Sequence, residues 1–536
     1  MQQLSSLDAT FLYAETPETP MHIGPLLIYD PSTAEGGFVR FKDILATFEQ
    51  RLDRSPVFRR KLEFVPLGLD QPYWVEDENF DLEFHVRHIA LPKPGDWRQL
   101  WIQASRLHAR AVDTSRPLWE AYIIEGLDNL EGLPPGCFAM FLKMHHAAID
   151  GASGAEIMAA LHDLEPSPTQ EPPRKALPRA EPPGRLEMLW RAYRANLRAP
   201  LGLVKLATEG VPAWRRVQAG VKANKFKSLG EKERTRFNGP ITPHRVCGAA
   251  TYDLREVRRM KGAVEGATVN DLILSLVGGA MRHYLKAKGE LPEKGLVAGT
   301  PVNVRDEAEV GSAGNVVSMM TIPMRSDIAD PVERLRAVHE GAVSSKAYLN
   351  AVGARMMTDF TQYVPAELSA LGWRAALASG LLADMKPIFN TIVTNVPGPQ
   401  VPLYMGGAKV VRTIALGPPF PGSGLIHPVT SYNGQICISF QCCREMMPDP
   451  EFYERCLYQA FEELQQALPG DGAAAPKVAG KAKTKASTKA KTKAKAKAKT
   501  KAKTKAKTKT KAKTKAKRKT APGRRKVAPK SADDAR

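Results

Sequence analysis

The sequence is poor in cysteine, with six in 536 residues, and no two of them form a CxxC pair. This spacing argues against a thiolate metal site or a disulfide framework and predicts free thiols in a reducing compartment. No run approaches the roughly 18 apolar residues that cross a bilayer as a helix. The start, MQQLSSLDAT, lacks a basic region followed by an apolar one, so no signal peptide is expected and the chain reads as cytoplasmic. GxSxG is missing, which argues against a serine nucleophile on a strand–helix elbow. HExxH is missing as well.

Basic charge is abundant, but in one place. The formal net charge is +21, yet residues 477–536 hold 26 basic side chains against Asp533 and Asp534, and so carry +24. The remaining 51 basic and 54 acidic residues leave the body at −3. Any polyanion argument therefore concerns the tail alone. Over 481–520 lysine takes nearly every second position, between Ala and Thr, with no aromatic residue and no apolar stripe. A helix would set lysines all round without an offsetting acid, so the tail, 471–536, is expected to be disordered in free solution. It is either a solvated charge run or an electrostatic tether to DNA or anionic lipid, with no means of reading a base edge.

The body divides by composition. Residues 1–165 read as one α/β unit, with strands at GPLLIYD (24–30) and CFAMFLKM (137–144). A helix is expected over FKDILATFEQRLDRSPVFRRKL, with Phe41, Ile44, Leu45, Phe48 and Leu52 on one face. Within 166–244, seven prolines among the 21 residues of 165–185 mark an extended linker. After it, Leu186, Leu189, Trp190, Tyr193 and Leu197 share a helical face beside several arginines. This is either a bridging helix packed between two units or a membrane-interface helix. Residues 245–470 read as a second α/β unit, with helices at 268–287 and 450–467 and strands at 295–304 and 435–442.

Chemistry concentrates in KMHHAAIDGASG (143–154). A strand delivers His145 and His146 to its end, and a helix is expected from Ser153, capped by the Ser153–Glu156 box. Gly151 suits the tight turn between them. A histidine titrates near neutrality and serves as a general base once its ring is fixed; Asp150 fixes it directly or anchors the loop through an arginine. A metal site fits poorly, because adjacent histidines point in different directions and no third ligand lies near. An ordinary histidine-rich turn remains open at this point.

HHAAIDG matches the HHxxxDG signature of the chloramphenicol-acetyltransferase-like superfamily. The chain further resembles the bacterial wax ester synthase/acyl-CoA:diacylglycerol acyltransferases from residue 4 to about 467. The resemblance runs through LSSLDATFLYAETPETPMHIG (4–24), RPLWE (116–120), TVNDLIL (268–274), PVNVR (301–305), GNVVSMM (314–320), NVPGP (395–399) and SYNG (431–434). It implies two similar α/β halves facing across a central channel that holds the active site. It also implies that His146 is the base, that Asp150 anchors the loop, and that the second histidine's neighbour, His145, matters less. The substrates implied are acyl-CoA and either a fatty alcohol or diacylglycerol. No cofactor and no metal are expected. The setting implied is a membrane surface or lipid inclusion, met peripherally from the cytoplasm.

Other candidates carry two readings. Pro117, Leu118 and Trp119 either line the channel or simply bury Trp119 in the core. Asn270 and Asp271 either line the site or belong to a helix start capped by Thr268. Glu15 either approaches the histidines or is a solvated loop acid. Arg305 is a surface charge, a partner for a buried acid or a CoA phosphate contact. NVPGP reads first as a rigid turn. Two other functions stay open: a condensation-type enzyme of the same fold using carrier-bound thioesters, and a non-enzymatic protein coating lipid inclusions and tethering them to DNA.

Overall fold

The computed structural model describes residues 2–149, 151–167, 184–197, 233–303, 317–352, 375 and 387–468. Arg305, most of the Pro-rich linker and the whole basic tail lie outside them. So does Asp150.

Two six-stranded sheets form the body. The first draws β2 (His22–Asp30), β5 (Val86–Ala90), β6 (Trp119–Leu127) and β7 (Cys137–His145) from the first part of the chain. It also takes β12 (Tyr404–Met405) and β13 (Ala408–Leu416) from the second, in the order β12-β13-β2-β7-β6-β5. The second sheet contains β8 (Arg245–Asp253), β9 (Val297–Asn303), β10 (Val317–Pro323), β11 (Thr391–Pro397), β14 (Leu425–Tyr432) and β15 (Gln435–Cys443). Its order is β10-β9-β11-β14-β15-β8. A small sheet joins β1 (Gln2–Gln3), β4 (Tyr73–Glu76) and β3 (Arg60–Glu63). Sheet boundaries and the segments 1–165 and 245–470 thus differ, because β13 pairs antiparallel with β2 and covers what would be an open sheet edge.

β7 is buried along its whole length, which explains why its sequence is a nearly continuous apolar run. Met140, Leu142 and Met144 pack on the side of Phe48 and Trp119. Ala139 and Phe141 point the other way, into a cluster shared with Cys247, Ala249, Ile414 and Cys437 of the second part. Lys143 and His145 continue this second face, since side chains alternate along a strand. Gly24 on β2 has no room for a side chain: a Cβ there would sit 2.5 Å from the Phe141 ring. All six cysteines are free and buried. Among the described residues no helix is long and apolar enough to cross a membrane.

Several local expectations are corrected. The helix begun at Phe41 ends at Arg51; Pro56 follows, and Arg60–Glu63 is a strand held by Tyr73–Glu76. Proline lacks the N–H that a continuing helix needs. The helix after the histidines, α5, spans Gly151–Leu161. Ser153 therefore lies within the helix and not ahead of it. In NVPGP the first three residues pair with β14 as strand, and Gly398 and Pro399 follow it, Gly398 N–H donating to Ser431 O.

The helix at 185–197 packs against the β3–β4 hairpin through Met188 and Ala192, which share a cluster with Val65 and Tyr73. Of the two expectations, burial of the apolar stripe between two units does not hold, for Leu186, Trp190, Tyr193 and Leu197 are exposed. SYNG closes the β14–β15 hairpin, with φ of 42° at Asn433 and 81° at Gly434. Positive φ at both central residues is what a type I′ turn requires.

The long helix α8 (Val269–Ala287) starts as its sequence predicts. Asp271 N–H donates to Thr268 Oγ1 at 3.1 Å, and Thr268 N–H donates to Asp271 Oδ2 at 2.8 Å. Thr268→Ala should lower stability by about 1 kcal/mol through loss of this cap, read as a shift in the denaturant midpoint.

Candidate active site

The site is built where three strands end together. His145 closes β7, His22 opens β2 opposite it, and Trp119 opens β6 on the other side. The carbonyls just before those two strands clamp the histidine turn. His145 N–H donates to Leu118 O at 2.9 Å, and His146 N–H donates to Met21 O at 2.8 Å. Two neighbouring strands thus fix the backbone of both histidines.

The rings have different surroundings. His145 is fully buried. Its Nδ1 accepts from Ala147 N–H at 3.1 Å, so the ring proton sits on Nε2 in the neutral form. Nε2 lies 3.4 Å from Glu15 Oε2. His146 is only partly buried, and its ring stacks on Phe11 with centroids 3.9 Å apart and planes 12° off parallel. Phe11 belongs to α1 (Ser6–Ala14), whose N-cap is Ser5.

Glu15 follows α1 and reaches both strands at the turn. Its Oε2 accepts from Met21 N–H at 2.7 Å and faces His145. Met21 in turn holds His146, so one carboxylate braces the loop through two routes. The intervening segment is closed by Thr16 and Thr19, whose hydroxyls are 2.8 Å apart.

Beneath the turn is a buried polar layer. Lys143 is fully buried; its Nζ lies 2.9 Å from Glu120 Oε2. It also donates to Leu107 O and Arg110 O at the C-terminal end of α4 (Trp97–His108). A cation there meets the negative end of the helix dipole. Tyr122 OH donates to the same Glu120 carboxylate at 2.8 Å. Burial lowers the Lys143 pKa even though Glu120 opposes this. His22 Nε2 donates to His108 O, and Gln441 Nε2 donates to His108 Nδ1 at 2.9 Å. Burial first, then nearby charge, holds His22 well below the usual imidazole range and pushes His108 down to about 3. Both are neutral at pH 7.

The contacts of Gln441 with His108 and of Ser105 Oγ with Cys247 Sγ tie α4, which packs on the first sheet, to β15 and β8 of the second and so link the two halves near the site. Arg245 also spans them, donating to Glu18 O.

The other sequence candidates fall as follows. Pro117 is buried; Leu118 is buried and supplies the clamping carbonyl. Trp119 is core, its Nε1–H donating to Phe58 O at 3.0 Å. Asp271 directs its carboxylate to the Thr268 cap and to His339 Nδ1 at 2.9 Å, with Asn270 partly buried beside it. Gly151 is the first residue of α5. Asp150 and Arg305 lie outside the described residues, as noted above. Among those residues no three His, Cys, Asp or Glu side chains gather as metal ligands. Sequence reasoning alone does not single out Phe11, Lys143, Glu120 or His108. The lysine left one signal, a charge inside an otherwise apolar strand.

Comparison with known proteins places this arrangement. Residues 4–273 match the wax ester synthase/diacylglycerol acyltransferase catalytic domain, and residues 313–465 match the C-terminal domain of the same family. A putative diacylglycerol O-acyltransferase of Mycobacterium tuberculosis is 33% identical over 455 residues, covering 84% of this chain and 87% of its own length. A probable diacylglycerol O-acyltransferase of the same organism is 29% identical and covers 86% and 98%. Among solved structures, a wax ester synthase/diacylglycerol acyltransferase from Marinobacter aquaeolei VT8 superposes with a TM-score of 0.61 at 26% identity, covering 87% of this chain and 99% of that one. A trichothecene 15-O-acetyltransferase from Fusarium sporotrichioides, 10% identical with a TM-score of 0.54 over 86% and 94% of the two chains, shares the fold alone. With both family regions matched in order and the HHxxxDG turn inside the first, the chain belongs to the wax ester synthase/diacylglycerol acyltransferase family.

Proposed function

We propose that this chain transfers a long-chain acyl group from acyl-CoA to the hydroxyl of a fatty alcohol or diacylglycerol, with His146 as general base. The observation that carries the assignment of the base is the contrast between the two histidines. His145 is buried, with Nδ1 taken by the backbone, whereas His146 is partly open, ring-stacked and backbone-clamped. A base that works by proximity needs this combination of access and fixed orientation.

In the proposed reaction His146 takes the hydroxyl proton as the oxygen attacks the thioester carbon. The tetrahedral intermediate collapses, the C–S bond breaks, and the imidazolium returns the proton to the CoA thiolate. Ester and free CoA leave. No covalent acyl-enzyme forms, and acyl-CoA is a substrate, so the scheme uses no cofactor. Glu15 and Phe11 position the turn and the ring.

The test is incubation of the purified protein with palmitoyl-CoA and either hexadecanol or dioleoylglycerol, following thiol release and lipid product. Matched release of thiol and ester supports the reading. Thiol release without ester, or neither, sinks it.

The basic tail completes the reading as a tether that holds the enzyme at an anionic surface, either lipid or DNA. Deleting 477–536 should leave turnover on detergent-dispersed substrate unchanged. It should also remove the salt-sensitive part of binding to duplex DNA or anionic vesicles, whose log–log slope on DNA is about −0.9 per phosphate contact. Equal, salt-insensitive binding by both forms would reduce the tail to a solvated charge run.

A further inference from the structure

The helix at 185–197 is amphipathic in an unusual sense. At about 100° per residue, Met188 and Ala192 share the face that docks on Val65 and Tyr73. Leu186, Trp190, Tyr193 and Leu197 cluster on the opposite face, within about 60° of one another. They are 83%, 60%, 55% and 61% exposed. A helix of a soluble body turns its apolar stripe inward; this one presents it outward, with Trp190 and Tyr193 stacked on each other at 5.8 Å.

The loop it rests on does the same. Between β3 and β4, Phe64, Leu67 and Leu69 are exposed, Leu67 by 86% at the tip of the turn. Leu67 has φ 62°, a backbone region that side chains other than Gly, Asn and Asp rarely adopt. Asn196 Nδ2 donates to Leu69 O at 2.9 Å and ties the loop to the C-terminal end of the helix. Two elements packed on each other therefore both carry exposed large apolar side chains. Arg185, Arg191 and Arg194 are the basic residues of this helix, against one acid, Glu187, which pairs with Arg191 at 2.6 Å.

We propose that this helix and loop form a membrane-interface anchor that inserts its apolar side chains among the headgroups and upper acyl chains of an anionic phospholipid surface. Three features favour lipid over a protein partner. The apolar groups of both elements are exposed, by 43% to 86%. Aromatic and leucine side chains are flanked by arginine, the composition that partitions into the interface. The net charge of the helix is positive, as an anionic leaflet requires. The inference rests on the acyltransferase reading only in that lipid substrates must be drawn from a lipid phase.

The test compares the full chain with Leu67→Asp/Trp190→Glu/Leu197→Glu in co-sedimentation with vesicles of phosphatidylcholine containing about one-third phosphatidylglycerol. Salt is held at about 0.5 M to screen the tail. The parent should sediment with the vesicles and the variant's partition should fall about ten-fold or more. Melting temperature and turnover on detergent-dispersed substrate should not change. Leu67→Cys labelled with an environment-sensitive dye gives a second reading, because all six native cysteines are buried. A dye that blue-shifts on vesicles supports the anchor; a dye that stays aqueous on vesicle-bound protein overturns it. Equal partition of parent and triple variant also overturns it. A smaller oligomer in the variant with partition unchanged assigns the face to protein contact and overturns it too. Binding is measured without substrate, so a chain that transfers no acyl group yet loses binding in the variant keeps the anchor and loses the catalytic reading.

Discussion

His146→Ala is expected to lower acyl transfer by about 10²–10⁴-fold, the usual contribution of a positioned acid–base group. The melting temperature should stay near that of the parent, because the ring is only partly buried and the turn is held by backbone hydrogen bonds to Met21 and Leu118. The loss should appear in kcat with both alcohol and diacylglycerol acceptors, since the same proton moves in each. His145→Ala differs in kind. That ring is buried between Ala147 N–H and Glu15, so its removal should lower stability and reduce activity less. Near-parental turnover by His146→Ala would falsify the assignment of the base.

The second large effect concerns Lys143. Its side chain is 0% exposed and that of Glu120 is 8% exposed. Lys143→Met leaves Glu120 buried with Tyr122 and, at 3.7 Å, Arg87. It also removes the donor to Leu107 O and Arg110 O. Breaking one side of a buried pair costs roughly 3–5 kcal/mol. The measurement is the denaturant-induced unfolding free energy. Lys143→Met/Glu120→Gln should recover part of the loss, because it leaves no unpaired buried charge. A single variant within about 1 kcal/mol of the parent would show that the pair contributes no more than an exposed one.

What the sequence reveals here is what is local. β2, β7 and α8 were legible because an apolar run or a capping box lies wholly within a few residues. The stretch 52–63 was not, because its strand exists only by pairing with Tyr73–Glu76 and the period-3.6 pattern ran on past Pro56. The direction of the apolar face on the helix at 185–197 stays open in the sequence for a related reason. Periodicity finds a stripe but not the direction it faces, and Met188 with Ala192 makes an inconspicuous docking face.

The histidine turn was legible as a motif, and its chemistry as a choice between base, metal and plain turn. Glu15 could not be placed: nothing in the spacing of residues 15 and 145 says that their side chains meet. Phe11 was invisible for the same reason, since a stacking partner contributed by another element leaves no periodicity. Lys143 was the exception that could have been read, because a charge inside a buried strand demands a partner.

The crossing strand β13 has a consequence for how the chain is made. Leu416 pairs with Gly24, about 390 residues away. At a typical synthesis rate of about 5–20 residues per second, β2 waits on the order of 20–80 s on the ribosome before its outer neighbour emerges. During that interval the nascent first sheet has an unprotected edge beside fully buried strands, the condition under which strands of other chains pair illegitimately. Production of this enzyme should therefore be limited by events during translation, and release fragments ending before residue 408 should accumulate as aggregates instead of as a free-standing first half.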